Sequence, residues 1–158
     1  MDTANRFESR TTLRLLRAEY AVALVACSAI FLWKLSAINW AVAIFLFAYI
    51  DLVGYVPGAI AFRRARNGPI AKVYYVLYNV MHSVVTHAVI LGAWSALFGL
   101  QWAMLAVPIH LCGDRAVFGN FMKSFKVPFE PHPIVAFVEF DRRVTGSSGD
   151  PAPVPERI

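Results

Sequence analysis

Between Val73 and Leu111 the chain has no Asp, Glu, Lys or Arg, and between Ala18 and Phe62 it has only Glu19, Lys34 and Asp51. A helix that crosses a bilayer needs roughly 20 apolar residues, and these two stretches hold about four such lengths. Helices of a soluble bundle would each carry a polar stripe, and none is present here. The 158 residues are 58% hydrophobic and 16% charged, which is more apolar than one compact soluble core requires. The expectation is an all-α, polytopic membrane helix bundle of about four transmembrane helices, multi-pass in the cell membrane and surrounded by its lipids.

The layout divides into three parts. Residues 1–17 form a polar N-terminal segment, 18–125 a four-helix transmembrane domain, and 126–158 a tail. Thr11 and Thr12 are candidate N-caps for a first span that ends near Trp33–Lys34. A second span runs from about Ile38 to Phe62, with Gly54, Pro57 and Gly58 in its second half. Arg63 to Pro69 breaks the helix, and Pro69 suits the first turn of the next. The third span is read as one long helix over 70–98 and the fourth as 102–122, containing Pro108. Val127 to Pro133 has too much proline for a helix, Ile134 to Arg143 suits a short interfacial helix, and the last residues have the composition of a disordered end.

Basic residues set the orientation. Arg6, Arg10, Arg14 and Arg17 precede the first span; Arg63, Arg64, Arg66 and Lys72 lie between the second and third; Arg115, Lys123 and Lys126 follow or end the fourth. The opposite loops hold only Lys34, and Trp33, Trp40, Trp94 and Trp102 all lie near that other side. Both patterns place the two termini in the cytoplasm, N-in and C-in. The net charge of +5 therefore marks topology rather than nucleic acid, which this arrangement does not fit. Cys27 and Cys112 both fall in apolar stretches and suggest no disulfide framework.

Ionisable residues inside the spans are the candidate site. At about 1.5 Å per residue, Asp51 lies about 16 Å from Trp40, His82 about 18 Å from Trp94 and Asp114 about 18 Å from Trp102. His110 and His87 come out shallower. Three spans thus bring titratable groups to one depth, and a central Asp costs about 2.5–3.5 kcal/mol to insert, so two of them need a reason to persist. His110 and Asp114 share a helix face, as do Asp51 and Tyr55, while Asn79, His82 and His87 fall on one broad stripe. His82 and His87 are five apart, about 140° around a regular helix, too far to hold one ion side by side. Gly54 and Gly58 would let a neighbouring helix approach beside Asp51.

Imidazole and carboxylate together suit zinc or non-haem iron, with His82, His110 and Asp114 as metal ligands. A metal-free acid–base set, in which Asp51, His82, His110 and Asp114 are catalytic, fits equally. Tyr55, Asn79, His87 and Arg115 are candidate substrate-binding residues, Arg115 by pairing with an anionic head group or with Asp114. Interhelical hydrogen bonding alone is the plain structural alternative, and a proton or ion pathway is another. There is no GxSxG, P-loop or dinucleotide fingerprint.

Asp51 with Gly54-Tyr55, then Tyr78-Asn79-x-x-His82, then His110-x-x-x-Asp114-Arg115 occur in this order. With these motifs, over roughly Asp51 to Lys123, the chain resembles a small, functionally uncharacterised bacterial family of four-span integral membrane proteins. Leu111-Cys112-Gly113 and Phe118-Gly119-Asn120 depart from the family pattern. The resemblance implies a shared fold and links His82, His110, Asp114 and Arg115, but no reaction. The expectation is an intramembrane hydrolase, isomerase or cyclase acting on a lipophilic small molecule. The rival is an accessory subunit, and in either case a homo-oligomer or larger membrane complex is open.

Overall fold

Helix α1, Arg10–Trp33, includes Thr11 and Thr12 in its body, so neither caps it as expected. This is seen in a computed structural model that describes residues 10–145; the expected disordered end over 146–158 and the first nine residues lie outside them. Among the described residues all regular structure is helical. A short 3-10 turn, Leu35–Ala37, reverses the chain, and the Asn39 side chain caps α2 (Trp40–Gly54) by accepting from the Val42 N–H. Asn is favoured there because its carboxamide reaches a donor that the first helical turn leaves unpaired.

Helix α3, Val56–Arg64, continues α2 through Tyr55, which stays in the right-handed helical region. Pro57 sits in the first turn of α3, where its missing N–H costs little. Arg66 and Asn67 then turn left-handed, and Asn67 N–H returns to Phe62 O, closing the helix. The next helix starts at Lys72 and not at Pro69, so the loop is longer than expected.

The largest departure from the sequence reading is in the third segment. The single helix expected over 70–98 is two, α4 (Lys72–Met81) and α5 (Val84–Phe98), bent by 57° at His82–Ser83. The fourth segment also differs. It starts as a 3-10 turn, Trp102–Leu105, continues as α6 (Ala106–Gly113) and ends as a π-helix over Asp114–Phe118. Helix therefore stops at Phe118, short of Met122, where left-handed Gly119 ends it and the Asn120 N–H closes back on Asp114 O. Pro108 lies in the first turn of α6, so it begins a helix instead of kinking one.

Two helical stretches are long and apolar enough to cross a membrane, Thr11–Trp33 and Trp40–Arg64, and the bent α4–α5 pair makes a third if taken as one span. Their outward surfaces carry Val22, Leu32, Ile44, Phe45, Val89 and Leu97, all exposed. A surface this apolar matches hydrocarbon and not water. Inside, Leu46, Ile50, Met104, Val107 and Leu111 join α2 to α6 in one core. α1 packs along α6, and Arg17 donates to Ala116 O at 2.9 Å and Val117 O at 2.6 Å, satisfying carbonyls at the end of the π-helix.

Residues 119–134 form a strap without regular helix that folds back on the open end of α3 and α4. Phe129 is fully buried there, and its ring lies over Gly58, where a Cβ would come within 2.3 Å. The strap is tied by Tyr75 OH to Val127 O and by both amide atoms of Asn79, which bond the Lys123 backbone at 2.9 and 2.7 Å. Gly58 was expected to admit a helix and instead admits this ring. Gly54 does admit a helix end, since a Cβ on it would meet Met81 Cβ at 2.7 Å. A final helix, α7 (Val135–Thr145), stands where a short helix was expected.

Candidate metal centre

Asp51 from α2, His82 from the bend, and His110 and Asp114 from the fourth segment converge, with one ligand atom of each lying within 4.8 Å of all the others. His82 Nε2 is 3.4 Å from Asp51 Oδ1 and 3.3 Å from Asp114 Oδ2. His110 Nε2 is 3.6 Å from Asp51 Oδ2 and 3.5 Å from Asp114 Oδ2. All four separations exceed a normal N–H···O hydrogen bond. They lie near the edge of a tetrahedron with metal–ligand bonds of about 2.1 Å, which is about 3.4 Å. Asp51, however, meets the two histidines with different oxygens, and one atom per residue brings the set only within 4.8 Å. The four groups face a common point at separations that suit a bound ion and imidazolium–carboxylate pairs alike.

The orientation of the imidazoles supports this. His82 Nδ1–H donates to Tyr78 O at 2.9 Å, which leaves Nε2 facing the two carboxylates. A histidine whose far nitrogen is held by a carbonyl is the usual arrangement around a bound ion. Tyr78 also stacks its ring on His82, with centroids 3.9 Å apart, so the imidazole is clamped in plane and along its edge. His110 is buried with both ring nitrogens lacking a hydrogen-bond partner, and Phe47 packs edge-on to it at 4.7 Å. A buried imidazole with two orphan nitrogens needs an explanation, and a ligand for Nε2 supplies half of one.

The bend at His82–Ser83 is what aims His82. In a continuous helix the Met81 and His82 carbonyls would be taken by later N–H groups; here Met81 O accepts from His87 Nε2 at 2.6 Å, and His82 O accepts from Arg115 at 3.0 Å. Ser83 caps the new helix by accepting the Thr86 N–H. Broken helices persist in an apolar surround only when side chains satisfy the freed backbone groups. His87 Nδ1 in turn accepts from Tyr49 OH at 2.7 Å, so both its nitrogens are used.

The expected binding residues are therefore engaged elsewhere. His87 and Arg115 hold the bend, and the Arg115 guanidinium lies over the Tyr20 ring at 4.8 Å with no carboxylate ion pair among the described residues. The expected pairing of Arg115 with Asp114 is absent from those contacts, because the guanidinium points to the bend. Tyr55 donates to Glu130 in the strap, although it shares a helix with Asp51, and Asn79 ties down Lys123. Tyr78 and Phe47 are the contributors that residue reading missed. Tyr78 stood in the Tyr78-Asn79-x-x-His82 motif, one turn before His82, which was the available signal.

Arg115→Met is expected to leave the His82 carbonyl buried and unpaired, at a cost of about 1–3 kcal/mol. A melting temperature that does not fall on this change would remove Arg115 from the account of the bend.

Comparison with protein-family models, with curated proteins and with solved structures finds no match for this chain.

Proposed function

We propose that this chain is a membrane-embedded metal-dependent enzyme, with a divalent ion held by His82, His110 and Asp114 and with Asp51 as the working carboxylate. The observation that carries the reading is the set of four Nε2···O separations between 3.3 and 3.6 Å around a buried histidine without hydrogen bonds. Two imidazoles and carboxylate oxygens suit zinc best and non-haem iron next. His82 and His110 are buried and the Asp114 side chain is 17% exposed, while the Asp51 side chain is 46% exposed. Such an ion supplies Lewis acidity and an activated water. Asp51, at the open side, takes a proton from the attacking group and returns it to the leaving group. Hydrolysis of a lipophilic small molecule is the reaction class this division of roles fits best.

The membrane topology is part of the same proposal. Four spans, with both termini in the cytoplasm, follow from the basic residues at one end of the bundle and the tryptophans at the other. The fourth span combines four 3-10, eight α and five π residues, a length at the short end of what crosses a bilayer.

Purified protein is expected to contain one divalent ion per chain by elemental analysis. Asp51→Asn is expected to keep the ion while losing hydrolysis of lipophilic esters or amides by about a hundredfold or more, the usual scale for a general base. An ion-free chain that stays folded, or an Asp51→Asn protein that is fully active, would reject the proposal.

A further inference from the structure

The metal centre is closed at both ends of the bundle. Toward the strap it is covered by the Tyr78 ring, with Phe129 and Lys123 beyond, and the Lys123 ammonium is bonded to Phe129 O at 2.6 Å and lies over the Tyr78 ring. Toward Trp40 and Trp102 it is covered by the packed core of Leu46, Ile50, Val107 and Leu111. His82 and His110 are buried and Asp114 nearly so, which leaves Asp51 as the one well-exposed donor of the four. Asp51 opens sideways, near the middle of the Trp40–Arg64 stretch, beside the exposed side chains of Phe47, Ile44 and Leu52.

Charge narrows what can come in. Two carboxylates balance one divalent ion, so the loaded centre is neutral. The nearest cations are both taken, Arg115 by His82 O and Lys123 by Phe129 O. Neither of these two cations is free for a phosphate or carboxylate head group at the centre.

From these two observations we propose that the centre is reached laterally from the hydrocarbon layer, and that its substrate is a lipid-soluble molecule whose reacting group is an uncharged carbonyl of the ester or amide class. This deepens the enzyme reading and rests on it. The chain of such a molecule lies along Phe47 and Ile44, and its carbonyl meets the ion on the Asp51 side.

The test uses the full chain in phosphatidylcholine vesicles with cobalt(II) as the ion, followed through the visible cobalt bands. Three probes are titrated: acetohydroxamic acid, decanohydroxamic acid and decylphosphonate. Hydroxamic acids are neutral in the bilayer and chelate through a carbonyl, their proton passing to Asp51 on binding. The expected result is that decanohydroxamic acid shifts the bands at a total concentration lower by roughly a hundredfold or more than acetohydroxamic acid, since each added methylene favours the apolar route. Decylphosphonate, equally long but anionic, is expected to be weaker by at least about tenfold, because a charged head group is costly to bring to mid-membrane depth. Equal potency of the two hydroxamic acids would overturn lateral access, and a preference for the phosphonate would overturn the uncharged substrate, both leaving the metal centre intact. Absence of cobalt bands in the folded protein would remove the metal centre, and this inference with it.

Discussion

His110→Ala and His110→Leu are expected to bind zinc more weakly than the parent chain by more than a hundredfold. Loss of a residue that merely orients a ligand costs about 10–100-fold, and the proposed centre makes His110 a ligand itself. The stability effect is as informative as the affinity. An ion present at about a thousand times its dissociation constant stabilises the folded state by about 4 kcal/mol, so the melting temperature of the parent chain should rise with added zinc. In both variants that rise is expected to vanish. Without metal, His110 still faces Asp51 and Asp114 at 3.6 and 3.5 Å, so removing it leaves the two carboxylates facing His82 alone. Both ion-free variants should therefore be less stable than the ion-free parent, which makes the zinc response the discriminating readout. If His110 only cemented helices together, the zinc response would persist in both variants.

Phe129→Ala is expected to cost about 3–5 kcal/mol, the range for emptying a fully buried aromatic site. The ring is held on every side: stacked on Tyr55 at 6.2 Å, edge-on to Tyr75 at 5.4 Å and to Tyr78 at 6.0 Å, with Gly58 beneath. No small movement of these neighbours can refill the space, because each is fixed by its own hydrogen bond or stack. The strap should loosen first, so trypsin is expected to cut after Lys123 and Lys126 faster in the variant. Gly58→Val should have the same effect from the other side, since its added carbons overlap the ring. The two changes address one contact, so their combination should cost less than the sum. Unchanged proteolysis in both single variants would show that the strap is held by its backbone hydrogen bonds and not by this ring.

The candidate site divides along the same line as the fold. Asp51, His82, His110 and Asp114 could be picked out because ionisable groups are rare and costly in apolar helices, and one rise per residue puts them at similar depth. Their meeting, however, depends on a bend that has no proline or glycine to announce it. Met81-His82-Ser83 reads as ordinary helix, and the break is held by His87 and Arg115. A regular helix would also have spread Asn79, His82 and His87 along one stripe, which is why Asn79 and His87 were grouped with the site. Tyr55 shares a face with Asp51, and its hydroxyl donates to Glu130 of the strap, a partner that helix periodicity does not reveal.

From residues alone came the properties that are sums along the chain: helical class, apolar stretches long enough to span, and the short list of expensive side chains inside them. These are local, since hydropathy and rise per residue need no knowledge of neighbours. The tertiary structure decided the 57° bend, the π-helical end that carries Asp114, the return of Phe129 onto Gly58, and which of the polar side chains hold the scaffold and which face the centre. Each of those rests on a hydrogen bond or a packing contact between residues far apart in the chain, and the free energy of such a contact exists only once both partners are in place.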